Sequence, residues 1–359
     1  MARTQEAVRS LAPGYFALVM ASGILSVGTS LSGLPTLSAW LLAGCAGSFV
    51  VLTLLTCWRV VAHRDAVAQD FTDPRRGFGF FTTIAGANVL GVRLAMDGHH
   101  ALTAVLLAAS GLCWLVLGYV VPWTAVLGRE RRPILAAANG TWFIWVVASQ
   151  SVAVSAAALE PVYDPGRQLL AVVAVFCWSV GVFLYAAAGI FVGARMMLYE
   201  FGPEELTPPY WVAMGAGAIT VVAGARIVEM ADAPMVAATR GLIAGTSVVF
   251  WAFATWLIPV LVAAGWWRHL RHRVPLTYEA ALWSVVFPLG MYAVAGISLG
   301  RADDLPLVES IGRVELWAAL AAGTLTLGAM TWHLVDTVLL PRDRRAGPRR
   351  GSARRSAQH

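Results

Sequence analysis

From Ser10 to Trp58 the chain runs 49 residues without a charged side chain or a histidine, interrupted only by the turn sequence Ser32-Gly33-Leu34-Pro35. Similar uncharged runs recur along the chain, divided by turn residues and arginines. About 20 apolar residues cross a hydrocarbon core of about 30 Å, so the pattern resolves into ten helical spans. They are predicted at Tyr15–Leu31, Thr36–Trp58, Gly77–Met96, Ala101–Val121, Ile134–Leu159, Leu169–Leu198, Pro209–Met230, Gly241–Trp267, Ala280–Gly300 and Leu316–Leu340. Arg93 and Asp97 crowd the far end of the third. The expectation is an all-α polytopic membrane protein. It has one ten-helix domain, residues 1–340, and a disordered Arg-, Pro- and Gly-rich cytoplasmic tail, residues 341–359.

Composition leaves no room for a water-soluble domain: 58% of residues are hydrophobic, 13% are charged and the mean hydropathy is +0.68. All 26 basic residues are arginine, and their placement orients the chain. Assigning loops alternately puts Arg3, Arg9, Arg59, Arg64, Arg75, Arg76, Arg129, Arg131, Arg132, Arg195, Arg268, Arg271, Arg273 and the tail arginines on one side of the membrane. The positive-inside rule makes that side cytoplasmic, with both termini on it, in agreement with an even number of spans. Arg9 leads into an apolar run without an Ala-x-Ala site, so the first span is expected to stay as a helix rather than be cleaved. The net charge of +6 belongs to an inner face of a cell membrane; nucleic acid is excluded as a natural partner.

Cofactor and enzyme chemistry find no support. Haem in a membrane helix needs paired mid-helix histidines, and of seven only His333 falls within a predicted span. Cys45, Cys57, Cys113 and Cys177 lack metal-ligand or CxxC spacing and are read as buried packing residues. No HExxH, phosphate-binding loop or Ser/His/Asp arrangement occurs, so no cofactor and no metal are expected.

Charged groups near the membrane interior are few. Arg226, Glu229 and Asp232 gather at the outer end of the seventh span, where Arg226 and Glu229 have the spacing of a helix-surface pair. They form either a rim salt bridge or an anion- or proton-handling funnel. His333 and Asp336 repeat the spacing near the inner end of the tenth, as interfacial groups or as a proton relay. Asn88, Asn139 and Gln150 are the deep polar side chains, satisfying neighbouring helices or lining a path. The spans also hold many of the chain's 34 glycines. Such small residues serve close helix packing or, alternatively, leave an axial channel open. Pro288 cannot donate to the carbonyl of Ser284 and bends the ninth span directly after Phe287.

Trp283-Ser-Val-Val-Phe287-Pro288-Leu-Gly290-Met-Tyr292 resembles the ninth-helix signature of the tellurite-resistance and C4-dicarboxylate transporter family, which includes plant slow-type anion channels and yeast malate and sulfite transporters. Four other segments match in order: Pro13 to Leu25 is similar to the family's first helix, Asp73 to Phe81 to the start of the third, Asn139 to Ser151 to the fifth and Pro208 to Ala216 to the start of the seventh. The resemblance implies five helical hairpins around a quasi-fivefold central pore, odd spans inside and even spans outside, in a homotrimer with one pore per subunit. It places the family's pore-blocking phenylalanine on Phe287, with Pro288 and Gly290 shaping its helix. It also makes Gly14, Gly23, Gly86, Gly140, Gly215 and Gly224 candidates for the pore wall.

The function expected is an anion channel or channel-like uniporter gated by Phe287, passing small anions or organic and oxyanions. The alternative is a proton-coupled carrier or exporter of C4-dicarboxylate, sulfite or tellurite, with Arg226, Glu229, His333 or Asp336 handling protons or anions. A third class, a receptor or scaffold, lacks any appended signalling domain to support it.

Overall fold

The computed structural model describes residues 2–128, 133–230 and 233–336. The tail at 341–359, Asp232 and the predicted end of the tenth span at Leu340 lie outside the described residues. Ten helices are long and apolar enough to cross a membrane: Pro13–Leu31, Pro35–Ala62, Gly77–Met96, His100–Leu127, Gly140–Leu159, Asp164–Leu198, Pro208–Val228, Pro234–Arg271, Ala280–Ala302 and Pro306–Leu334. Two short helices, Ala2–Arg9 and Arg64–Thr72, flank the first pair of spans.

The eighth span starts at Pro234 rather than Gly241, and two other departures from the predicted limits have local causes. The fifth span starts at Gly140, because Ile134–Ala137 is a separate 3₁₀ turn and Ala138 and Asn139 are extended. Asn139 caps the span, its side chain accepting from Thr141 N at 2.8 Å. The tenth starts at Pro306, not Leu316. Glu309 there is bonded by Arg313 one turn on, at 2.8 Å, and by Arg301 of the ninth span, at 3.0 Å, so the helix runs through charges that looked like a boundary.

Burial separates the spans into two layers. In the odd spans 67–89% of the most apolar window is buried within the protein, against 11–33% in the even spans. Contacts give the arrangement. The first span packs on the third, the third on the fifth, the fifth on the seventh, the seventh on the ninth, and the ninth returns to the first. Each even span leans on two successive members of this ring, the tenth on the ninth and first. Connections within each odd–even hairpin, at 32–34, 97–99, 160–163, 229–233 and 303–305, are short, and two of them turn on glycines with positive φ, Gly33 (77°) and Gly98 (85°). Longer connections join one hairpin to the next.

Every odd span opens with a 3₁₀ turn: Pro13–Phe16, Gly77–Phe80, Gly140–Trp142, Pro208–Trp211 and Ala280–Leu282. These turns sit together. Thr82 Oγ1 donates to Pro13 O at 3.0 Å, Trp142 Nε1 to Pro74 O at 3.0 Å, and Gly140 lies so close to the Pro209 carbonyl that a side chain there would collide with backbone. The starts of the five inner helices therefore converge at one face, the face that carries the chain's N-terminal end.

Candidate functional site

Two cavities lie inside the ring, and each draws residues from all five odd spans. The vestibule at the converging helix starts has a volume of about 140 Å³ and is lined by Gly14, Arg75, Arg76, Thr141, Pro209 and Ser284 among others. The second lies deeper along the ring, holds only about 30 Å³, and is lined by Ile24, Asn88, Ser151, Arg226, Met291 and Ser298 with further apolar side chains. That is room for about one water.

Phe287 stands between them. On the ninth span Ser284 faces the vestibule, while Met291, Val294 and Ser298 face the deeper cavity. At 100° per residue Phe287 falls within the same stripe, three residues after Ser284 and four before Met291, in a gap of about 10 Å between the cavities. Its flanking residues fix the direction independently. Pro288 meets the seventh span, where a Cβ added at Gly215 would lie 2.9 Å from Pro288 Cγ; Gly290 meets the first, where an added Cβ would lie 2.9 Å from Ile24 Cγ2. By helical register Phe287 falls on the arc between those contacts, and it is 1% exposed. Tyr292, outside that arc, instead shares a 2.7 Å hydrogen bond with Thr255 of the eighth span.

The glycines divide between the two uses that the sequence left open. Gly14 has open space beside it and lines the vestibule. The others meet neighbours: Gly23 faces Val89 and Cys45, Gly86 faces Val19, Gly140 the Pro209 carbonyl, Gly215 Pro288, and Gly224 Ser247 and Ile243. Those five admit close approach of helices, and the deeper cavity is walled by isoleucine, valine, methionine, serine and asparagine instead.

Polar side chains in the deeper cavity are held in place. Asn88 Nδ2 donates to Ile84 O at 3.0 Å and to Ser151 Oγ at 3.2 Å, and Asn88 Oδ1 accepts from Ser110 Oγ at 3.0 Å. Gln150 turns away to donate to Trp178 O at 3.1 Å, against Gly181 of the sixth span. Arg226 contributes the cavity's cation, and its contact with Glu229, one turn on, is loose at 3.5 Å between half-exposed groups. His333 lies at the end of the tenth span with its ring 5.4 Å from that of Tyr278, and Asp336 follows that helix. Neither lines the two cavities.

One expectation needs correction. Cys45 and Cys177 are buried, but Cys57 and Cys113 are exposed; all four belong to even spans, and Cys45 faces Val19 and Gly23 of the first span whereas Cys57 and Cys113 stand on outward faces.

Charge networks that the sequence did not signal organise both ends. Near the vestibule, Asp70 of the short helix Arg64–Thr72 is 5% exposed and binds Arg59 at 2.7 Å and Arg76 at 2.9 Å, while Arg59 Nε also donates to Arg9 O. Beside it Asp65 is held below the usual carboxylate range by the Ala66 backbone N–H and by Arg9. At the other end the 5%-exposed Arg93 binds Asp97 at 2.7 Å and donates to Ser26 and Ser38, tying the first three spans together. A lateral pocket of about 370 Å³ adjoins the vestibule, sharing Arg75, Thr141, Pro209 and Ala281 and adding Arg195, Glu204, Glu205 and Glu279.

A closed ring of buried helices sheathed by apolar ones, with an axial line of cavities, defines an integral membrane transporter or channel. Residues 10–332 match the sequence model of the SLAC1 family, described as voltage-dependent anion channels, and the chain belongs to that family. It is 65% identical over 156 residues, 44% of its length, to an uncharacterised membrane protein of Mycobacterium tuberculosis (strain H37Rv), covering 79% of that protein. Two uncharacterised transporters of Methanocaldococcus jannaschii are each 24% identical to it, one over 90% of this chain and 93% of its own, the other over 87% and 92%.

Proposed function

We propose that this protein passes small anions, including organic and oxyanions, along the axis of its inner ring, with Phe287 as the gate. The observation that carries the reading is the fully buried phenyl ring on the axial stripe between two cavities that all five inner helices share. A phenyl group across so narrow a passage excludes water and forces an ion to shed its hydration shell, and displacing the ring removes that barrier. Pro288 leaves the Ser284 carbonyl without its helical donor, which gives the ninth span a point at which to flex. Because each chain closes its own ring, a pore per subunit needs no partner to complete it; in this reading the subunits form a homotrimer in the cell membrane, with a quasi-fivefold pore and both termini cytoplasmic.

Preference for anions follows from the helix ends. Five inner helices present their N-terminal starts, and so the positive ends of their dipoles, to the vestibule. At the far cavity, where helix C-terminal ends would repel an anion, Arg226 supplies the compensating charge. Replacing Phe287 by leucine and then alanine tests the gate: passive anion conductance in planar bilayers is expected to rise with each reduction, by at least tenfold for Phe287→Ala. Equal conductance across the series would overturn it.

A specific observation favours a second reading. Glu315 lies within the tenth span, half-buried, and a carboxylate at such depth is a customary proton site. In a proton-coupled carrier of dicarboxylate, sulfite or tellurite, Glu315 would join Glu229 as an acceptor, and Glu315→Gln would abolish uphill transport driven by a pH gradient.

A further inference from the structure

The cations around the vestibule are unequally committed. Arg76 and Arg59 share Asp70. Arg195 is bound to Glu205 and donates to the carbonyls of Ala136 and Glu200, and Arg268 donates to those of Pro203, Glu204 and Leu206. Arg75 is different. Its backbone N–H bonds Asp73 Oδ1 at 2.9 Å, which fixes the turn, while its side chain is exposed, forms no ion pair among the described residues, and lines both the vestibule and the lateral pocket. On the wall of that same pocket Glu204 and Glu279 are exposed carboxylates, likewise without an ion pair among the described residues.

We propose that Arg75 is a specificity-determining residue, whose guanidinium draws anions from solution into the vestibule, and that Glu279 on the adjoining wall opposes it. The balance between the two sets how readily anions enter from this face. The inference rests on the anion-pathway reading and adds to it the residues that control entry. In water a unit charge about 6 Å from a passing monovalent anion changes its local concentration about threefold. Salt removes the effect, since the screening length falls from about 30 Å at 0.01 M to about 3 Å at 1 M.

The test uses chloride currents through the full chain in planar bilayers, in the Phe287→Ala background, comparing Arg75→Gln, Arg75→Lys and Glu279→Gln at 20 mM and 1 M chloride. At 20 mM, Arg75→Gln is expected to lower the current carried by anions entering from the vestibule about threefold, Arg75→Lys to keep most of it, and Glu279→Gln to raise it two- to threefold. At 1 M all four proteins should converge. Equal currents at 20 mM, a loss in Arg75→Lys as large as in Arg75→Gln, or a loss that persists at 1 M would overturn the proposal. If Phe287→Ala itself carries no current, the gate reading fails. Arg75 is then judged on chloride uptake by liposomes containing the otherwise native chain: a salt-dependent threefold loss in Arg75→Gln sustains it, and unchanged uptake refutes it.

Discussion

Asp70 shows how strongly a single side chain can bind this fold together. It sits on a short surface helix, yet its carboxylate is almost fully buried between Arg59, at the end of the second span, and Arg76, at the start of the third. Removing one partner of a buried ion pair leaves the other charge uncompensated, at a cost of about 3–5 kcal/mol. Asp70→Asn is therefore expected to lower the thermal unfolding temperature in detergent sharply, whereas Asp65→Asn, whose Arg9 pair is exposed, should change it little; equal effects would contradict the assignment. The sequence singled out Phe287 because proline and glycine follow it in an order that resembles the family's. It left Asp70 and Arg75 unmarked, since a charged loop reads alike whether its groups are solvated, paired or facing a pore. It also left open which glycines face the axis, because that depends on which neighbour each helix meets.

Among the elements, the ninth and tenth spans cross with backbone against backbone. A Cβ at Gly296 would lie 2.9 Å from Gly312 Cα, and one at Gly300 would lie 2.6 Å from Glu309 N, so backbone meets backbone with no side chain able to yield. Gly296→Ala is expected to destabilise by about 1–3 kcal/mol through overpacking. Gly44, on the outward-facing second span, has nothing within 4 Å, and Gly44→Ala should be neutral or stabilising by up to about 1 kcal/mol, as alanine replaces glycine in an open helix. Unfolding of the two variants side by side checks the contrast; a Gly296→Ala protein as stable as the parent would mean the helices separate without penalty. Ten spans were readable from the uncharged runs, and their limits failed in two ways: at Glu309, paired along and across helices, charge does not end a helix, and at 133–139 a stretch apolar enough to extend the fifth span folds as a turn.

For the whole molecule, the division into inner and outer helices lies in burial rather than in hydrophobicity, since both sets are apolar; it could not be drawn from composition and entered the sequence reading only through family resemblance. The structure supplies the contacts: a ring of alternate spans, each groove outside it covered by an intervening helix. In the proposed reading this ring gives an ion one protected route, and the buried Phe287 ring lies across it. The most direct test is anion flux into liposomes for the native chain beside Phe287→Ala, with and without a pH gradient. A large passive gain in Phe287→Ala, independent of the gradient, is the predicted result. Flux that is unchanged or lost in the variant, with native transport that requires the gradient, would contradict an aromatic gate and identify a proton-coupled carrier.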